Sequence, residues 1–205
     1  MEAGLGGVIH VVWLLWQQHS QEEDWGFLLI DARNSFNEDN RTDMLWEVRF
    51  ECPYGARFVF NCYCHWATLV IRVGDGTGHF LFRKEGVNHG DPMDMVVYGL
   101  VILPLICELR QAHPGITQLW YFDDTRAGIT FERIRRHLYY LMVRGPPRGY
   151  FLDPTKSILV VFPWNLPRVE SFFQGYGLQI VTGSHYLGGF VETKVVQERW
   201  LGEKV

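Results

Sequence analysis

Three aspartates carry the chemistry that this sequence can do. Asp31 ends the apolar run "WGFLLID" (25–31), and Asp123 and Asp124 stand side by side in "LWYFDDTRAG" (119–128). Taken singly they say little, because an aspartate after a strand caps a turn just as well and a hairpin tip tolerates "FDD" without any function. Three carboxylates at strand ends gain meaning if the strands are neighbours. Asp31 and one of the pair can then share hard divalent cations such as Mg²⁺, which take oxygen ligands and leave positions for water and phosphate oxygens. Two such cations about 3.5–4 Å apart are the usual device for in-line phosphoryl displacement. Without a cation the clustered carboxylates repel one another and raise one another's pKa values.

The elements that must position these groups can be read from periodicity. "WGFLLID" is a short continuous apolar run of the kind a buried central strand shows, and "ITQLWYF" (116–122) predicts a second strand leading into the Asp123–Asp124 hairpin. Val8 to His19 reads as a buried helix. Glu38, Asp39 and Asp43 ahead of Met44, Leu45 and Val48, with Arg49 near the end, match a helix macrodipole. Residues 56–73 predict a helix and then the strand "ATLVIRV"; "VGDGTG" gives a turn before the strand "HFLFRKEG". In "GDPMDMVVYGLVILPLICELR", Asp91 is placed as an N-cap and Pro92 as the first helical residue. Phe131, Ile134, Leu138, Leu141 and Met142 recur at helical spacing, and "RGPPRG" stops that helix. "SILVVF" predicts a strand, Val169 to Gly175 a short helix and "LQIVTGSHYLGGFV" a hairpin. The alternation, the short loops and the hairpin at Asp123 predict an α+β fold with an antiparallel sheet and packed helices.

Composition narrows the function classes. The 205 residues, 47% apolar and 15% aromatic, suffice for one large folded domain, and no repeat or Ser/Gly linker divides them. The net charge of −4 disfavours a free-standing nucleic-acid binder, so any such binding must be local or assisted. Cys52, Cys62, Cys64 and Cys107 follow no secreted disulfide pattern, and with Glu2 near the start the reading is a reducing, intracellular protein. The run Met95 to Cys107 is short for a membrane span and contains Pro104, which predicts a buried, kinked helix and no membrane role. Cys62, Cys64 and His65 lack a second Cys/His pair and so do not make a tetrahedral zinc site; buried thiols on a helix are expected.

Five ordered stretches, "FLLIDARNSFN", "KEGVNHGDPMDMVVYGL", "WYFDDTRAG", "GYFLDPTKSILVV" and "SHYLGGFV", resemble successive blocks of the reverse-transcriptase palm, in the form found in non-LTR retrotransposons and related retroelements. The resemblance covers roughly residues 22–191. It implies one reverse-transcriptase-like domain over 1–205, with a palm core at about 22–161 and a primer-grip-like hairpin and tail at 162–205, largely without fingers and thumb. The implied activity is RNA-directed DNA synthesis by a two-metal mechanism, with Mg²⁺ or Mn²⁺ as cofactor. The implied partners are an RNA template, a DNA primer, a dNTP and other segments of the same retroelement polyprotein.

The resemblance also implies roles. Asp31 and Asp123 would hold the metal ions with Asp124 assisting, and the backbone from Ala32 onward would lie beside the triphosphate. Phe36 looks like the gate that excludes a ribose 2′-hydroxyl; His89 and Gly90, with Asp91 and Pro92, look like the block against the nucleotide and template base. Lys156 resembles the lysine near the leaving pyrophosphate, and Tyr186, Leu187, Gly188 and Gly189 the hairpin that steadies the primer end. Each has a plain alternative: a core Phe at a helix head, a helix N-terminus, a solvated Lys, glycines that serve only a turn. The sequence departs from the family at His89, where Gln is usual, and at Phe122, where a smaller residue is common. Two further readings stay open: a catalytically inactive remnant that keeps the palm fold and at most binds nucleic acid, and another two-metal nuclease or a structural Ca²⁺ site.

Overall fold

The computed structural model describes residues 5–33, 35–74, 78–87, 91–121, 124–186 and 189–191. The chain divides into two compact units, one of Met1–Asp31, His113–Tyr139 and Leu152–Val205, the other of Ala32–Ala112 and Tyr140–Phe151.

The first unit is built on a five-stranded sheet. Its strands are β1 (Trp25–Ile30), β4 (Thr117–Tyr121), β5 (Asp124–Thr130), β6 (Ile158–Val161) and β7 (Gln179–Val181), in the order β4-β5-β1-β6-β7. Every neighbouring pair is antiparallel except β6 and β7. β1 is central, and all six of its residues are buried, which is why its sequence is a continuous apolar run rather than an alternating one. On one face α1 (Leu5–Gln18) lays Val12 and Trp16 against Trp25, Phe27, Leu29, Val160 and Phe162. On the other face a side chain at Gly26 would lie 3.0 Å from the Phe131 ring, so glycine gives the start of α6 (Phe131–Arg144) room against the strand without displacing that ring. α1 is half-buried rather than buried: Val11, Trp13 and Leu14 are exposed, because the sheet can cover one face of a helix only.

The stretch 178–191 is not one hairpin. β7 leaves it to pair in parallel with β6, and a separate short hairpin follows, β8 (Ser184–Tyr186) with β9 (Gly189–Val191). The helix expected from Val169 is α7 (Leu166–Phe172), starting three residues earlier. The predicted hairpin at Asp123 is present as β4 paired with β5, from Thr117↔Gly128 to Tyr121↔Asp124.

The second unit is largely helical: α2 (Ser35–Glu38), α3 (Arg41–Glu51), α4 (Pro53–Tyr63), α5 (Asp94–Ala112) and the last turn of α6, with a two-stranded hairpin of β2 (Ala67–Arg72) and β3 (Gly78–Arg83). Met44, Val48, Val59, Tyr63, Val87, Val97 and Val101 form its core. Buried Arg41 donates to the carbonyls of His65, Glu85 and Gly86, which ties both ends of the β2–β3 segment to the start of α3. The N-cap of α3 is Asn40, whose Oδ1 accepts from the N–H groups of Thr42 and Asp43. Asp39, expected to serve the macrodipole, is instead fully buried.

α5 starts at Asp94, three residues beyond Asp91. It contains Pro104 and is long and apolar enough to cross a bilayer by length and composition alone, while Val97 and Val101 join the core of this unit. The expected buried thiols are not observed. Cys62 on α4 is exposed and Cys64 half-buried, because the core face of α4 is taken by Val59 and Tyr63; all four cysteines are free.

Candidate active site

The candidate site lies in the first unit, where β1 and β5 run out together. The β1–β5 ladder ends at Ile30↔Thr125, so the same register brings the Asp31 and Asp124 positions to one end of the sheet, with Asp31 just after β1 and Asp124 opening β5. This is the neighbour relation that the carboxylate chemistry requires. Phe122 and Asp123 lie outside the described residues.

Asp31 stands just beyond both ladders, since the one to β6 closes at Leu29↔Ile158 and the one to β5 at Ile30. A five-residue loop, Asp153 to Ser157, takes over the bonding of its peptide. The Asp31 N–H donates to Ser157 Oγ at 3.2 Å, and the Asp153 N–H donates to the Asp31 carbonyl at 2.9 Å. The loop is an Asx turn: Asp153 Oδ1 accepts from the Thr155 N–H at 3.1 Å and from Thr155 Oγ1 at 2.7 Å. These bonds, the one from Thr155 Oγ1 foremost, hold the Asp153 carboxyl below its usual range.

Lys156 rides on this turn. Its Nζ stands 4.0 Å from both Asp31 Oδ1 and Asp153 Oδ2, with the lysine side chain 63% exposed and that of Asp31 38%. Contacts of that length in water are worth a fraction of a kcal/mol each and leave the ammonium able to turn toward an anion. The arrangement is two oxygen-bearing groups and an adjustable cation beside a half-exposed aspartate on a fixed peptide. Among the described residues no group of three or more carboxylate, His or Cys side chains gathers at one point.

The other expected site residues fall as follows. Ala32 and Phe36 belong to the second unit; Ala32 is buried, and Phe36 is half-buried on α2. The Phe36 ring packs against Tyr98 of α5 with centroids 4.6 Å apart and the planes tilted by 40°, and the Phe36 carbonyl accepts from the Val87 N–H and from Arg83 Nη2. His89 and Gly90 lie outside the described residues; Asp91 beside them accepts from Tyr63 Oη and the Met93 N–H. Tyr186 closes β8 and pairs with Gly189, which opens β9, and Leu187 and Gly188 lie outside the described residues. Asp153 and Ser157 were missed from the sequence, although Asp-Pro-Thr-Lys is itself a turn signature that announces a side-chain-capped loop.

No protein-family model matches the chain, and no curated protein matches it. Among solved structures it is similar to telomerase from Candida albicans in complex with the TWJ fragment of telomeric RNA, at a TM-score of 0.59 and 9% identity over 78% of this chain and 32% of that one. It is likewise similar to telomerase from Candida tropicalis, bound to the same kind of fragment (TM-score 0.60, 10% identity, 76% of this chain and 29% of that) and in the apo form (0.61, 10%, 76% and 32%). At such identities the likeness is one of fold: a mixed helix-and-sheet architecture, mainly antiparallel, shared with telomerase. The chain spans about a third of the length of those structures.

Proposed function

We propose that this chain is the palm portion of a reverse transcriptase of the non-LTR retrotransposon and retroelement type, joining dNTPs to a DNA primer on an RNA template. The observation that carries the reading is the placement of Asp31 and Asp124 at one end of paired strands within a telomerase-like fold, telomerase being itself a reverse transcriptase.

The donor set fits magnesium, with manganese as substitute, because Asp31, Asp123 and Asp124 offer only hard carboxylate oxygens. When bound, the cations would acidify the primer 3′-hydroxyl and neutralise the leaving pyrophosphate. The remaining work belongs to the chain. Asp31, its peptide held by the 153–157 loop, keeps its carboxylate at a fixed place at the strand end. Lys156 offers a cation to the pyrophosphate. Phe36 excludes a ribose 2′-hydroxyl; His89 and Gly90 bear on the nucleotide; Tyr186 to Gly189 steady the primer end. A net charge of −4 leaves much of the hold on nucleic acid to other segments of a retroelement polyprotein.

Primer extension on a poly-rA template with oligo-dT, in Mg²⁺ and in Mn²⁺, tests this. The expected result is dTTP incorporation that falls by at least about 10²-fold in Asp31→Asn and in Asp123→Asn. Extension that survives both substitutions sinks the assignment of these aspartates. No extension by the unaltered chain in either metal supports the inactive-remnant reading instead.

A further inference from the structure

The bonds around Asp31 close into a small circuit. Ser157 is fully buried, and its Oγ accepts from the Asp31 N–H while donating to the Asp153 carbonyl at 2.7 Å. The Asp153 N–H returns to the Asp31 carbonyl. Ser157 is fixed from behind as well: its own N–H donates to the Asp153 carbonyl at 3.0 Å, and its carbonyl accepts from the Gln179 N–H on β7 at 3.0 Å. One hydroxyl therefore links the residue just past the central strand to the loop that carries Lys156.

We infer that Ser157 and Asp153 are positioning residues that lock the Asp31 peptide, and with it the point from which the Asp31 carboxylate projects and the turn that carries Lys156. The inference rests on the function proposed above for Asp31 and Lys156. With no accessible surface, Ser157 touches neither nucleotide nor cation and acts only through Asp31. Beyond both of these ladders, this circuit bonds the Asp31 N–H and carbonyl. A strand end released from such bonds frays, and a carboxylate on a fraying end holds a cation poorly. Asp153 adds the Asx turn that places Lys156, a task its amide analogue can also perform, since the accepting atom is Oδ1.

The test compares the full chain with Ser157→Ala, Ser157→Thr, Asp153→Ala and Asp153→Asn, using two readouts. Amide hydrogen exchange, resolved by residue, should speed up at Asp31 by about tenfold in Ser157→Ala and Asp153→Ala, with the Leu28 amide unchanged. The conservative variants Ser157→Thr and Asp153→Asn should retain the protection. Mn²⁺ binding, followed by the electron paramagnetic resonance of the free ion, should weaken several-fold in the two alanine variants and recover in the conservative ones. Unchanged Asp31 exchange in Ser157→Ala, or a uniform rise that includes Leu28, overturns the positioning role. Mn²⁺ binding that is indifferent to Asp31→Asn defeats the metal reading of Asp31 instead, and the exchange data still decide whether Ser157 locks the peptide.

Discussion

Tyr63, buried at the end of α4, donates its phenolic hydrogen to Asp91 Oδ2 at 2.7 Å. The same carboxylate accepts from the Met93 N–H at 2.9 Å, so one aspartate joins α4 to the turn that leads into α5. A buried bond to a charged acceptor is worth about 1.5–3 kcal/mol. Tyr63→Phe should lower the unfolding free energy by that amount, read as a lower denaturant midpoint with an unchanged slope, and Asp91→Asn should cost less, because an amide oxygen still accepts.

Gly149 makes a very close backbone approach in the second unit. Its φ is +84°, and a side chain there would lie 2.1 Å from the Glu38 carbonyl oxygen and 2.5 Å from Asp39 Cα. Left-handed backbone and collision with main chain act together, so Gly149→Ala should cost about 3 kcal/mol or more, or prevent folding. Circular dichroism during thermal unfolding reads the loss.

Asp39 predicts a pH dependence. It is wholly buried, neither carboxyl oxygen has a hydrogen-bond partner, and burial pushes its pKa from 3.8 to about 8. Between those values the folded chain keeps a proton that the unfolded chain has lost. Stability contributed here is therefore largest below pH 4 and declines as pH rises toward 8, by up to about 1.4 kcal/mol per unit. Asp39→Asn should remove that slope and raise the denaturant midpoint at pH 8 relative to the unaltered chain.

His137 predicts the opposite trend. It is fully buried on α6 with neither ring nitrogen bonded, and burial first, then the nearby His113, lowers its pKa from 6.5 to about 3. The folded chain needs the neutral ring, so the associated stability is present above pH 6.5 and is lost as pH falls toward 3. His137→Leu should flatten the acid side of the stability profile, measured as the urea midpoint between pH 3 and 7.

Much of the first unit was legible because its signals are local. β1 is a six-residue apolar run with a charge behind it, α6 repeats at helical spacing, and a strand leads into the aspartate pair. The misreadings arose where a distant partner outbid a local pattern. Asp91 looks like a helix cap and does accept from the Met93 N–H, yet α5 begins only at Asp94 and the same carboxylate also holds a tyrosine 28 residues away. Asp39 looks like a first-turn acid, yet Asn40 caps α3 and Asp39 is buried. The parallel pairing of β7 with β6 has no local signature, because parallel partners need a long crossover and no turn announces them.

By itself the sequence determined that a buried strand ends at Asp31 and that an aspartate pair follows another strand, since run length and residue type suffice for both. Only the tertiary structure decided that β1 lies between β5 and β6, which brings Asp31 to the end of the sheet where β5 opens with Asp124. It alone also decided that Ser157, 126 residues along the chain from Asp31, satisfies the Asp31 amide. Strand order and long-range hydrogen bonds are settled by which buried polar groups find partners when the core closes, and that competition is not written in any local stretch.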